Sequence, residues 1–182
     1  VYSHEIFYSP ATDSEFKETV IRVMSFSKDF SLTGWRVGYL HASLTRIPRL
    51  LGIHDTLVNC APVVSQYAAL AALEVYDEVT SHNLELYRRQ RAQMAESLKK
   101  LDELFDFVMP IGAYFFFPRI KLNRSSQHVA LEILETAGVV TVPGSSFGGG
   151  GEQHLRLCFG RDEASVMQAM LRLEGLRGAM SL

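Results

Sequence analysis

At 182 residues, with 47% hydrophobic and 21% charged residues, the chain has the make-up of a folded protein large enough for one sizeable core or two small ones, not that of a disordered segment. Its 18 basic and 20 acidic residues are spread along the sequence for a formal net charge of -2, so no electrostatic reason exists to expect nucleic acid or an acidic membrane as partner. Cys60 and Cys158 stand far apart and outside any CxxC spacing, which argues against a disulfide framework or a zinc site and makes a reducing, intracellular setting the expectation, with the cytoplasm as the default location.

The start, Val1-Tyr2-Ser3-His4-Glu5, resembles neither a signal peptide nor an initiator sequence, and a piece of a longer protein is expected. Ile21 to Phe26 reads as a short buried strand, because its apolar residues follow a polar stretch and stop at Ser27-Lys28; a loop follows. Helical apolar spacing runs from about Leu44 to Val58 and from Val63 to Leu73, with Pro48 in the first turn of one and Pro62 just before the other. Tyr76 to Leu101 is a longer amphipathic pattern that at 1.5 Å per residue would span roughly 35–40 Å, enough to join two domains.

Beyond it, short strands are predicted at Phe105–Met109, Ala113–Pro118, Val139–Val142 and Leu155–Phe159. They alternate with helices at Ser126–Ala137, closed by Gly138, and at Asp162–Leu176, which gives an α/β pattern. Gly148 to Gly151 invites a phosphate-loop reading, but no Lys-Ser/Thr follows and the next segment is a strand, so a flexible hairpin connection is expected. No run of about 18 apolar residues could cross a bilayer. The six histidines, His4, His41, His54, His82, His128 and His154, show no metal-ligand spacing, and no metal is expected.

The most informative stretch is Ser25-Phe26-Ser27-Lys28-Asp29-Phe30-Ser31-Leu32-Thr33-Gly34-Trp35-Arg36-Val37-Gly38-Tyr39. It sets a lysine directly after a buried strand, where leaving water would disfavour the charged form and make a neutral, nucleophilic amine accessible. Ser25 and Ser27 bring hydroxyls and Arg36 a rigid fork of donors, all suited to a phosphate dianion, while Gly34 and Gly38 allow a tight path that could return Arg36 to the same pocket. Most single lysines are solvated surface groups, so the weight rests on the whole pattern.

A second candidate is Arg156 in His154-Leu155-Arg156-Leu157-Cys158-Phe159-Gly160, which on an alternating strand shares a face with His154 and Cys158. A charge there needs a partner, and a structural carboxylate is the plain alternative to a ligand. Gly112-Ala113-Tyr114-Phe115-Phe116-Phe117 reads equally as a core strand or as one lining a site.

Residue by residue, the stretch around Lys28 resembles the attachment signature of class I/II aminotransferases, enzymes dependent on pyridoxal 5'-phosphate (PLP): small, apolar, small, Lys, two variable, small, apolar, variable, Gly, variable, Arg, apolar, Gly. Pro143-Gly144-Ser145-Ser146-Phe147-Gly148 followed by Leu155-Arg156-Leu157 is similar to the family's small-domain motif. The resemblance implies Lys28 as the Schiff-base lysine and proton shuttle, Ser25, Ser27 and Arg36 as phosphate ligands, and Arg156 as the grip on the substrate α-carboxylate. Val1-Tyr2 resembles the end of an Asp-x-x-Tyr element, which implies Tyr2 as a cofactor contact and places the aspartate just before Val1.

The implied fold is the C-terminal part of the fold-type I large PLP-binding domain (1–75), a long connecting helix (76–101) and a small α/β domain (102–182). The implied activity is amino-group transfer between an amino acid and a 2-oxo acid in a cytoplasmic homodimer. Less than half of a typical family chain is covered, so the chain by itself is expected to hold PLP weakly and to transaminate little. A PLP-dependent lyase or synthase of the same fold, or the non-catalytic sensor half of a transcription regulator, would carry the same motifs; residues upstream decide between them.

Overall fold

The computed structural model describes residues 1–2 and 7–178, so His4 lies outside the described residues. Two compact units divide the chain, Val1–His4 with Glu85–Leu182 and Glu5–Leu84, and the division falls inside the long helix.

In the Glu5–Leu84 unit, β1 (Arg22–Ser25) and β2 (Gly38–His41) pair antiparallel, with Ser25 opposite Gly38. The chain between them makes one helical turn, α1 (Phe26–Asp29), and a 3-10 turn at Thr33–Trp35. Helices α2 (Ile47–Leu57) and α3 (Val63–Glu74) follow, Pro48 lying in the first turn of α2 and Pro62 capping α3. Among the described residues the buried core of this unit is Phe26, Val37 and Ala69, flanked by Phe30, Leu32, Ala61 and Ala72.

The expectation of a buried strand at Ile21–Phe26 is corrected here. β1 exists, but Val23 is 74% exposed, because no second layer among the described residues covers this hairpin. β2 had no sequence signal of its own: all four of its residues are exposed, so burial imposes no alternation on them.

The division cuts α4 (Tyr76–Lys100), and its part in the other unit buries Gln90, Met94 and Leu98 at four-residue spacing, the stripe that faces a core. A three-stranded antiparallel sheet runs in the order β4 (Phe115–Phe116), β7 (Leu155–Cys158), β6 (Val142–Pro143), beside a pair formed by β3 (Phe105–Asp106) and β5 (Arg119–Ile120). Helices α5 (Ser126–Ala137) and α6 (Glu163–Glu174) enclose a core centred on Leu98, Phe116, Ile133, Leu155, Phe159 and Leu173. β4 is shorter than predicted because Ala113, at φ 58°, turns out of the extended region just before it.

The chain between β6 and β7 is not an open hairpin connection but two consecutive 3-10 turns, Gly144–Phe147 and Gly149–Gly151. A Cβ on Gly144 would lie 1.9 Å from the Gly151 carbonyl oxygen, and one on Gly151 would lie 2.1 Å from that of Gly144, so only glycine fits at either place. The turn is tied to α5: the Glu152 carboxylate accepts from the Ser126 N–H at 2.9 Å, and the Ser126 hydroxyl accepts from the Ser145 N–H at 3.2 Å.

Candidate functional site

Ser25 ends β1 and caps α1, its Oγ accepting the Ser27 N–H at 3.1 Å. Lys28 then sits on the single turn of α1, and it is exposed; the expectation of a lysine drawn out of water is not met within this chain, for the same reason that β1 is uncovered. Thr33 Oγ1 donates to the Ser27 carbonyl at 3.0 Å, and Arg36 Nη1 donates to the Thr33 carbonyl at 3.0 Å, so Thr33 links the lysine turn to the arginine. Sequence reasoning missed Thr33; its signal was a hydroxyl residue just ahead of a glycine in a turn.

Arg36 adopts φ 49° and ψ 46°, the left-handed region, which turns the chain back into β2. A Cβ on Gly38 would meet the Met24 carbonyl oxygen at 2.5 Å, so glycine lets the two strands close directly beneath this loop. One short loop therefore carries the Lys28 amine, the Ser25 and Ser27 hydroxyls and the Arg36 guanidinium. Among the described residues, the bond to the Thr33 carbonyl uses one of the Arg36 donors, which leaves most of its fork available to an anion.

Arg156 lies on the other unit, at the centre of β7 and opposite Val142 of β6. Leu155 and Leu157 are buried while Arg156 is partly and Cys158 largely open, the alternation expected of a strand with one face on the core. Its guanidinium carbon stands 4.5 Å from the centre of the Phe115 ring and 5.1 Å from that of Phe147. No carboxylate pairs with it among the described residues.

Tyr2 belongs to the same unit as Arg156. Its N–H donates to the Ile111 carbonyl at 2.8 Å, its hydroxyl donates to the Ala113 carbonyl, and the Arg91 guanidinium lies 4.5 Å from the ring centre. Burial pushes its phenol up to about 12, against the opposing pull of Arg91. Tyr2 therefore packs as part of this unit, its hydroxyl engaged by backbone.

A family model for aminotransferase class I and II matches residues 1–173. The chain belongs to this family. It is 34% identical to an aspartate aminotransferase of Sulfurisphaera tokodaii over 168 residues, which cover 89% of this chain and 42% of that relative. It is also 34% identical to an aromatic-amino-acid aminotransferase 2 of Thermococcus litoralis, across 96% of this chain and 45% of that one. Its fold matches the crystal structure of an aromatic aminotransferase from Pyrococcus horikoshii with a TM-score of 0.88 and 32% identity, covering 98% of this chain and 48% of that structure.

The fold is thus part of the aminotransferase fold, and the chain spans about half the length of the curated relatives it matches. No helix among the described residues is long and apolar enough to cross a membrane.

Proposed function

We propose that this chain is the C-terminal part of a PLP-dependent aminotransferase that moves an amino group between an amino acid and a 2-oxo acid. The observation that carries the reading is the loop from Ser25 to Arg36, one short segment between paired strands that bears an amine, two hydroxyls and a guanidinium and is tied internally through Thr33. That donor set fits PLP: hydroxyls and a planar fork suit its phosphate, and a primary amine suits its aldehyde.

When bound, PLP supplies the carbon that amines attack and the electron sink that stabilises charge left at the substrate Cα. The protein's part is to bind, orient and move protons. Ser25, Ser27 and Arg36 hold the phosphate, with Tyr2 as a further cofactor contact. Lys28 is the Schiff-base lysine, and its Nζ holds the proton that leaves Cα. Arg156, which no carboxylate pairs with among the described residues, takes the α-carboxylate through two parallel hydrogen bonds.

By the same reading, residues 1–75 are the end of the large domain, 76–101 the connecting helix and 102–182 the small domain of a cytoplasmic homodimer. Membership of the family supports this layout.

The test is made on the intact protein that carries this chain. After addition of PLP and reduction with borohydride, peptide mapping by mass spectrometry should place the added mass on the peptide holding Lys28, and Lys28→Ala should remove it. Label on a different lysine in the wild type would sink the reading. Arg36→Ala should weaken PLP binding about tenfold to a hundredfold, the usual worth of a hydrogen bond to a charged group.

A further inference from the structure

We infer that Phe115 and Phe147 are positioning residues for Arg156: their rings hold the guanidinium by cation–π contact in place of an acidic partner, and so leave its hydrogen bonds for a carboxylate. The inference rests on the carboxylate-binding role proposed above and adds what makes that role specific.

The two rings come from different elements, Phe115 from β4 and Phe147 from the turn after β6, and both reach Arg156, with ring centres 4.5 and 5.1 Å from its guanidinium carbon. A ring attracts the guanidinium through its π face and offers no carboxylate oxygens to fill the five N–H donors. A neighbouring aspartate would have held the same cation in place by filling those donors. Rings hold it and keep them open.

The rings are themselves held. Phe147 meets Phe117 edge-on at 5.7 Å and 89°, and Phe117 lies flat against the His154 imidazole at 4.9 Å and 5°. His154 and Arg156 share one face of β7, and Phe115 and Phe117 share one face of the neighbouring strand and its extension, while Phe116 between them is fully buried on the other. The backbone that carries Phe147 is pinned by the close approach of Gly144 and Gly151 and by the Ser145 N–H donating to the Ser126 hydroxyl. A chain of aromatic contacts from His154 to Phe115 thus runs through the arginine, and the geometry is set before any ligand arrives, which is where positioning groups gain their effect.

The experiment uses the 182-residue chain, nitrogen-15 labelled, and follows the Arg156 Nε–H resonance, assigned by its loss in Arg156→Lys. Phe147 is 52% exposed, so Phe147→Leu should leave the core intact; Phe115→Leu and Phe147→Tyr complete the set. The resonance should carry a ring-current shift that Phe147→Leu and Phe115→Leu each reduce and that Phe147→Tyr preserves. An identical resonance in all four proteins overturns the clamp.

Pyruvate is then titrated as the carboxylate probe into the intact protein that carries this chain and into the same variants of it. Its affinity should fall about two- to fivefold in each leucine variant and recover in Phe147→Tyr, the size of a cation–π contact at a partly exposed site. Equal affinity in every variant overturns the positioning role. A resonance that senses both rings, together with no binding of pyruvate by the intact wild type, overturns the carboxylate role of Arg156 instead, and leaves the ring contacts standing.

Discussion

Tyr2 shows how much a single side chain can report. Its phenol is pushed up to about 12 by burial, with Arg91 pulling the other way. An unfolded tyrosine titrates near 10. Between those values the unfolded chain releases the proton first, so the stability Tyr2 contributes is whole below pH 10 and is lost as pH rises toward 12. Urea midpoints measured from pH 9 to 12 should fall faster in the wild type than in Tyr2→Phe, and parallel curves would remove the effect. Arg36 carries the other residue-scale tension: at φ 49° a residue with a Cβ holds a conformation that costs roughly 1 kcal/mol or more and that glycine adopts freely. The guanidinium, not the backbone, is what arginine adds there.

Among the elements, the turn between β6 and β7 is the least forgiving. Gly151→Ala would set a methyl 2.1 Å from a backbone oxygen that cannot rotate away, so a loss of about 1–3 kcal/mol or more is expected in urea unfolding. Gly149→Ala, which meets nothing within 4 Å, should cost far less, and equal losses would mean the turn is not built this way.

What the sequence made legible follows the same logic. α5 was read to the residue, Ser126–Ala137, because both its ends are local chemistry: Ser125 Oγ accepts the His128 N–H at 3.2 Å, and Gly138 closes it at φ 64°. β2 was missed and β1 was given a burial it lacks, because an apolar run says that something should cover a strand and not whether the covering lies in this chain. The Lys28 and Arg156 motifs were legible as residue types at fixed spacing. Thr33 was not, since it acts through two backbone carbonyls that only the folded loop brings into reach. Nor were the ring contacts to Arg156, because Phe115 and Phe147 lie 32 positions apart and only the pairing of β4 and β6 with β7 unites them.

For the molecule as a whole, the two units are unequally built. The Glu85–Leu182 unit has a continuous core in which Leu98, Phe116, Ile133 and Phe159 are fully buried, whereas the buried core described for the Glu5–Leu84 unit is Phe26, Val37 and Ala69. Chain segments with few buried contacts open locally at low cost. Limited trypsin digestion of the 182-residue chain should cut first within residues 7–84, at sites such as Lys28, Arg36 and Arg49, and leave a resistant fragment from the C-terminal unit. First cuts within residues 102–178 would contradict this. The chain spans about half the length of the relatives it matches, and in the reading proposed above the hairpin bearing Lys28 is the end of a larger domain.

The small core around Phe26 has a thermodynamic consequence. Two-state analysis assumes that every residue melts in one cooperative event, and a chain whose halves differ this much in packing does not meet that condition. The sharp endotherm of a scanning calorimetry trace would belong to the C-terminal unit alone, and its enthalpy, divided over all 182 residues, would fall well below the ~0.7 kcal/mol per residue of an evenly packed protein near 60 °C. A single melting temperature quoted for this chain would describe the home of Arg156 and say nothing about the loop of Lys28.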